Sequence, residues 1–249
     1  MQKISVVIIC KNEAAVIGKT LKSFSGLTDD IIVYDNGSTD GTQQIAKQFE
    51  VNLIEGIWEG FGKTKNKAIA SAKYDWILCN DADEALDEAA KTEVLNLDLT
   101  DETIVYEFRF KNFLGNKWIR FGEWGSDKHI RLFNRNKVRW NEAAVHESLI
   151  FPNNYKKKLL KGFILHKTSA TSFEFETKMR KYAKLSAEKY LRQGEKTSWL
   201  KIVLSPTFSF IKNYFFKVGF LDGKEGYQCA RINALYTFLK YWELKNLHR

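Results

Sequence analysis

Three carboxylates crowd into four residues at Asp81-Ala82-Asp83-Glu84, directly after the apolar run Trp76-Ile77-Leu78-Cys79. Like charges that close repel one another, so a cation is their expected company. Oxygen donors on a short turn suit a hard divalent ion, Mg2+ or Mn2+, which keeps positions open for phosphate oxygens. Taken alone, the segment reads more readily as an acidic helix start, with Asp83, Glu84 and Asp87 near the positive end of the dipole. Other strand ends decide between the two. Asp35 closes the run Ile31-Ile32-Val33-Tyr34 and enters Asn36-Gly37-Ser38-Thr39-Asp40-Gly41-Thr42, a glycine turn with helix-cap chemistry. Asp35 has no evident cap to make, which leaves its carboxylate to accept from a base N–H or a ribose hydroxyl. Asn12 and Glu13 end a third run, Ile4 to Cys10, in the same way. Lys63, Lys65 and Lys67, with Asn66, crowd a further helix start, where cations oppose the dipole unless a diphosphate lies nearby.

The elements that must position these residues alternate. Apolar, β-branched strands at 4–10, 31–34, 51–54 and 75–79 are separated by helical spacing after Asn12, from Thr39 or Asp40 to Phe49, and from Lys63 to Ala72. Such alternation predicts a mostly parallel sheet with helices on both faces, and a ligand crevice at the carboxyl ends of its strands. The polar strand ends should converge there. Two familiar nucleotide folds are disfavoured. Gly56 stands one residue too far from Gly62-Lys63-Thr64 for a phosphate-binding P-loop, and Lys11-Asn12-Glu13 replaces the glycines of a dinucleotide fingerprint.

In order and spacing, Ser5-Val6-Val7-Ile8-Ile9-Cys10-Lys11-Asn12-Glu13, the segment 35–42, Lys65-Asn66 and Asp81-Ala82-Asp83-Glu84 resemble the inverting family 2 glycosyltransferases of the GT-A fold. The resemblance implies a Rossmann-like α/β domain and a nucleotide-sugar donor, a UDP-sugar. It puts Asp35 near the base, Lys65 near the base or phosphates, Asp81 near the ribose and Asp83 on the divalent metal. Cys10, Asn12, Glu13, Lys63 and Asn66 complete the donor-binding set. Ile130-Arg131-Leu132-Phe133-Asn134-Arg135, Val145-His146-Glu147, Leu165-His166-Lys167 and the tail from Gly219 resemble the bacterial branch that includes lipopolysaccharide inner-core glucosyltransferases. That branch implies a glycan or lipid-linked acceptor of the cell envelope. An inverting transfer needs a base for the acceptor hydroxyl; Glu147 is the first choice and Asp127 the alternative. His166, or else His146, is the expected nitrogen ligand of the metal.

The chain of 249 residues carries a net charge of +9, with 44% hydrophobic residues, enough for a sizeable core. Cys10, Cys79 and Cys229, odd in number and far apart, read as reduced and buried, and no signal peptide opens the chain, so a cytoplasmic address is expected. The catalytic domain is expected over 1–172 and a helical extension over 173–249. In that extension the broad apolar stripe from Trp199 to Phe216 suggests burial on more than one side, while four lysines among its aromatics suit an anionic membrane surface. A metal-dependent nucleotidyltransferase would also use these carboxylates and lysines. A basic nucleic-acid binding module would use the charge but leave the carboxylates unexplained.

Overall fold

A computed structural model describes residues 1–142 and 147–248. The chain divides into two compact units, residues 1–110 with 128–166, and residues 111–127 with 167–249.

The first unit is organised around β1 (Ile4–Cys10), all seven residues of which are buried. Burial on both faces explains the continuous apolar run. Ile4, Val6 and Ile8 pack against α1 (Ile17–Ser23), α2 (Thr42–Ala46) and α4 (Glu88–Leu95), while Val7 and Ile9 pack against α3 (Phe61–Ala70). β1 lies parallel between β2 (Ile31–Asp35) and β4 (Trp76–Asp81), with β3 (Asn52–Glu55) outside β2. Register sets the crevice: Cys10 lies opposite Asp35, and Ile9 opposite Asp81. The carboxyl ends of the three central strands are therefore level, as the alternation predicts.

Beyond β4 the sheet turns antiparallel. Its order continues β8 (Lys128–Asn134), β6 (Ile104–Leu114), β11 (Lys156–Ser169), β5 (Glu84–Leu86), with β7 (Lys117–Trp118) paired to the end of β6, and a separate small sheet pairs β9 (Arg139–Trp140) with β10 (Leu149–Ile150). The acidic turn therefore enters the short strand β5, not a helix, and Glu84 is a strand residue. α4 begins four residues later, where the Asp87 carboxylate accepts from Ala90 N at 2.9 Å as its N-cap. Asp87 also accepts from Phe163 N at 3.1 Å, and Glu93 accepts from Lys161 N at 2.7 Å, pinning α4 to β11. Gly162 has no room for a side chain there, since a Cβ would meet Ala90 N at 2.1 Å.

The second unit packs α5 (Ser172–Arg192) on α7 (Gly223–Leu247) around Leu114, Ile119, Phe175, Cys229 and Ile232. Thr171 caps α5, and the helix stops before Gly194, at φ +72°. α6 (Trp199–Ile211) continues through a π-helical turn over Lys212–Phe216. Its expected burial on several sides is wrong: within α6 only Ile202 is buried, and most of the large apolar side chains face outward. Among the described residues no helix is long and apolar enough to cross a membrane.

Candidate active site

Lys65 is the centre of the site. α3 aims it inward, leaving it 1% exposed, with Nζ 3.0 Å from Asp81 Oδ1, 2.9 Å from Glu147 Oε1 and 4.6 Å from the centroid of the Trp140 ring. Burial lowers the pKa of a lysine, but Asp81, then Cys79 and Glu147, more than compensate and hold Lys65 above its ordinary value. Burial likewise pushes the Asp81 carboxyl up, yet Lys65 and then Arg131 hold it well below the usual carboxylate range. Lys65 is the cation that faces the buried Oδ1 of Asp81.

A second cation, Arg131 on β8, grips Glu84 through Nε at 2.8 Å and Nη2 at 2.6 Å, and stands 3.6 Å from Asp81 Oδ2. Both members of the fork are buried. Glu84 therefore balances Arg131 rather than a bound ion, and its Oε2 also accepts from Asp81 N at 3.1 Å. Sequence reasoning missed this job for Arg131. The signal was a cation inside an otherwise apolar strand, Ile130-Arg131-Leu132-Phe133, where only a buried partner makes a charge tolerable.

Strand register places the histidine. His166 on β11 lies opposite Glu84, which sets its Nε2 3.3 Å from Asp83 Oδ2, with both side chains partly open. Neighbouring ligands at about 2.1 Å from an octahedral Mg2+ stand about 3 Å apart. The Asp83 and His166 donors fit such an ion, with most positions left for other oxygens. The charge balance fits too, because Asp81, Glu84 and Glu147 already outnumber the two buried cations they contact, and Asp83 pairs with His166. Among the described residues no three His, Cys, Asp or Glu side chains form a cage. A metal held here takes its remaining ligands from a substrate or water.

The other expected residues have local tasks. Asp35, expected to cap nothing, is fully buried and does cap its own turn: its oxygens accept from Ser38 N at 3.0 and 3.2 Å and from Gln43 Nε2 at 2.8 Å, with Cys10 Sγ at 3.8 Å. Burial, then Asp35, raises the Cys10 thiol above its ordinary pKa and keeps it neutral. Asn12, at φ +57°, accepts from Thr39 N at 2.8 Å, its own N–H donates to Ser38 Oγ, and Glu13 N donates to Thr42 Oγ1. The loops after β1 and β2 are thus stitched together by the hydroxyls that the sequence assigned to helix capping. Asn66 accepts from Trp140 N at 3.0 Å and donates to Trp140 O at 2.9 Å, so its amide is committed to holding β9. Lys63 pairs with Glu142 at 3.6 Å and Lys67 with Glu59; each lysine of this helix start has a carboxylate of its own.

Glu147 borders a cavity of about 500 Å³ that Arg131, Trp140, Phe151 and Lys157 also line. Asp127 belongs to the second unit, where Asn112 Nδ2 donates to its Oδ2 at 3.0 Å. His146 lies outside the described residues.

The chain is 29% identical to an uncharacterized glycosyltransferase of Rickettsia prowazekii, over 99% of this chain and 88% of the relative. It is 27% identical to the lipopolysaccharide core biosynthesis glycosyltransferase LpsC of Rhizobium meliloti, over 98% of this chain and 93% of that protein. Among solved structures, glucosyl-3-phosphoglycerate synthase from Mycobacterium tuberculosis aligns at 28% identity over 45% of this chain and 44% of that one, with a TM-score of 0.36. The family model for glycosyl transferase family 2 matches residues 5–160, which carry every member of the buried ion network, and the chain belongs to that family.

Proposed function

We propose that this glycosyltransferase moves a hexose, with inversion and with a divalent metal, from a nucleotide-diphosphate sugar to a lipopolysaccharide-core type glycan or lipid-linked acceptor. A UDP-sugar is the proposed donor. The approach of Asp83 Oδ2 to His166 Nε2 at 3.3 Å, beside the Lys65 network, carries this reading. The acceptor class is drawn from LpsC, a relative aligned over nearly the whole chain.

Residues 1–172 would carry the catalysis. Asp83 and His166 would hold the metal, and a bound Mg2+ or Mn2+ would neutralise charge on the departing diphosphate. Asp81, a partly exposed carboxylate at the end of β4, would accept a ribose hydroxyl. Asp35 supports the base side of the crevice by fixing the turn at Ser38. Glu147 would take the proton from the acceptor hydroxyl as that oxygen attacks the anomeric carbon from the face opposite the leaving group. Lys65, bonded to Glu147 Oε1, would fix the carboxylate and leave Oε2 for the proton. The open cavity on the Glu147 side gives the acceptor room. A lipid-linked acceptor puts the work at the inner face of the cytoplasmic membrane.

Titration with Mn2+ in the presence of UDP tests the metal site. The unsubstituted protein should bind the pair together, and His166→Ala and Asp83→Ala should each weaken metal-dependent UDP binding by at least about tenfold. Unchanged titrations in both variants would remove the metal from these residues.

A further inference from the structure

The outward face of α6 is its apolar face. Along Trp199–Ile211 and the turn Lys212–Phe216, exposed positions recur in pairs: Trp199 and Leu200, Val203 and Leu204, Thr207 and Phe208, Ile211 and Lys212, Phe215 and Phe216. Eight of those ten are large and apolar, from Ile211 at 38% exposed to Phe216 at 74%. A helix of a water-soluble surface turns its apolar stripe inward and its polar side out; this one is reversed. A contiguous apolar surface of that kind marks an interaction site.

Charge says what covers it. Between Lys196 and Leu221 there are four lysines and no acid. Lys201 and Lys212 stand on exposed positions of the same helix, and Lys245 brings its Nζ 4.7 Å from the Trp199 ring. We propose that this face lies flat in the interface of an anionic lipid leaflet, with its aromatic and aliphatic side chains at the acyl boundary and its lysines among the phosphates. A second copy of the chain suits the face less well, because a two-fold contact would set like-charged lysines against each other. Crossing the bilayer does not fit either, since among the described residues no helix is long and apolar enough. The proposal rests on this face alone and holds whatever sugar the enzyme transfers.

The test is co-sedimentation of the full chain with phosphatidylcholine vesicles, with and without phosphatidylglycerol. Binding should require phosphatidylglycerol, weaken with added salt, fall at least about tenfold in L204E/F208E and about fivefold in Lys212→Glu, and be unchanged in Lys156→Glu on β11. The substituted sites on α6 are exposed, so circular dichroism should match the parent; Phe216→Ser repeats the test if the double variant unfolds. Three results would overturn the proposal: no binding to phosphatidylglycerol vesicles, binding indifferent to L204E/F208E and F216S, or a dimer in light scattering that those substitutions dissolve.

Discussion

Lys65 is itself buried between two partly exposed carboxylates, so the residue that organises the site also holds the fold. Replacing it with methionine strands Asp81 and Glu147, at a cost of about 3–5 kcal/mol near neutral pH. The pH dependence has a definite sign. Asp81 has a depressed pKa, so its contribution is complete above about pH 4 and lost as the pH falls; Lys65 is raised, so its share is complete below about pH 10 and lost as the pH rises. Urea unfolding across pH should therefore show Lys65→Met and the parent furthest apart between those limits and converging outside them; a constant gap would contradict the account. Glu147→Gln should lower kcat by about a hundredfold to ten-thousandfold while donor binding survives, and Asp127→Asn should cost far less. Equal losses in kcat would move the base assignment. Asp81, Asp83 and Lys65 were legible as charged residues at strand and helix ends. Arg131 and Glu84 were not, because their roles exist only as a pair drawn from strands 47 residues apart.

At the level of elements, each site residue inherits its place from a pairing. Four parallel strands were readable: β1, β2 and β4 bury both faces and leave an unbroken apolar run, while β3, at the sheet edge, keeps only its half-buried Leu53 and Ile54. The antiparallel strands were not: β11 begins Lys156-Lys157-Lys158, which reads as a charged loop, and its pairing with β5 is a contact across 80 residues of sequence. Yet that pairing brings His166 to Asp83. Gly162→Ala should test it, since a Cβ pressed on the α4 backbone forces α4 and β11 apart at a cost of about 1–3 kcal/mol, with weaker Mn2+ binding in the folded fraction. Full stability in Gly162→Ala would refute the close packing. Asn66→Ala should lose about 1–3 kcal/mol by freeing the backbone of Trp140, and should alter stability more than the donor KM. A larger effect on KM would restore Asn66 to the donor site. α6 was readable as a helix but not in its orientation, because periodicity gives the width of an apolar face and not what lies against it.

For the whole molecule, one chain combines a buried ion network in its first unit with an outward apolar helix in its second. Family membership selects sugar transfer over nucleotidyl transfer and nucleic-acid binding, and leaves donor and metal as the central claim. The most direct measurement is thermal unfolding with a panel of UDP- and GDP-sugars, nucleoside triphosphates and oligonucleotides, each with Mn2+ and with EDTA, on the parent and Asp83→Ala. A sugar nucleotide at about 100 times its Kd adds about 2.7 kcal/mol of stability, a shift readily seen. The account predicts that a UDP-sugar raises Tm only with Mn2+ and that Asp83→Ala removes the rise. Stabilisation by triphosphates or oligonucleotides alone, or a UDP-sugar shift that persists in EDTA, would contradict it.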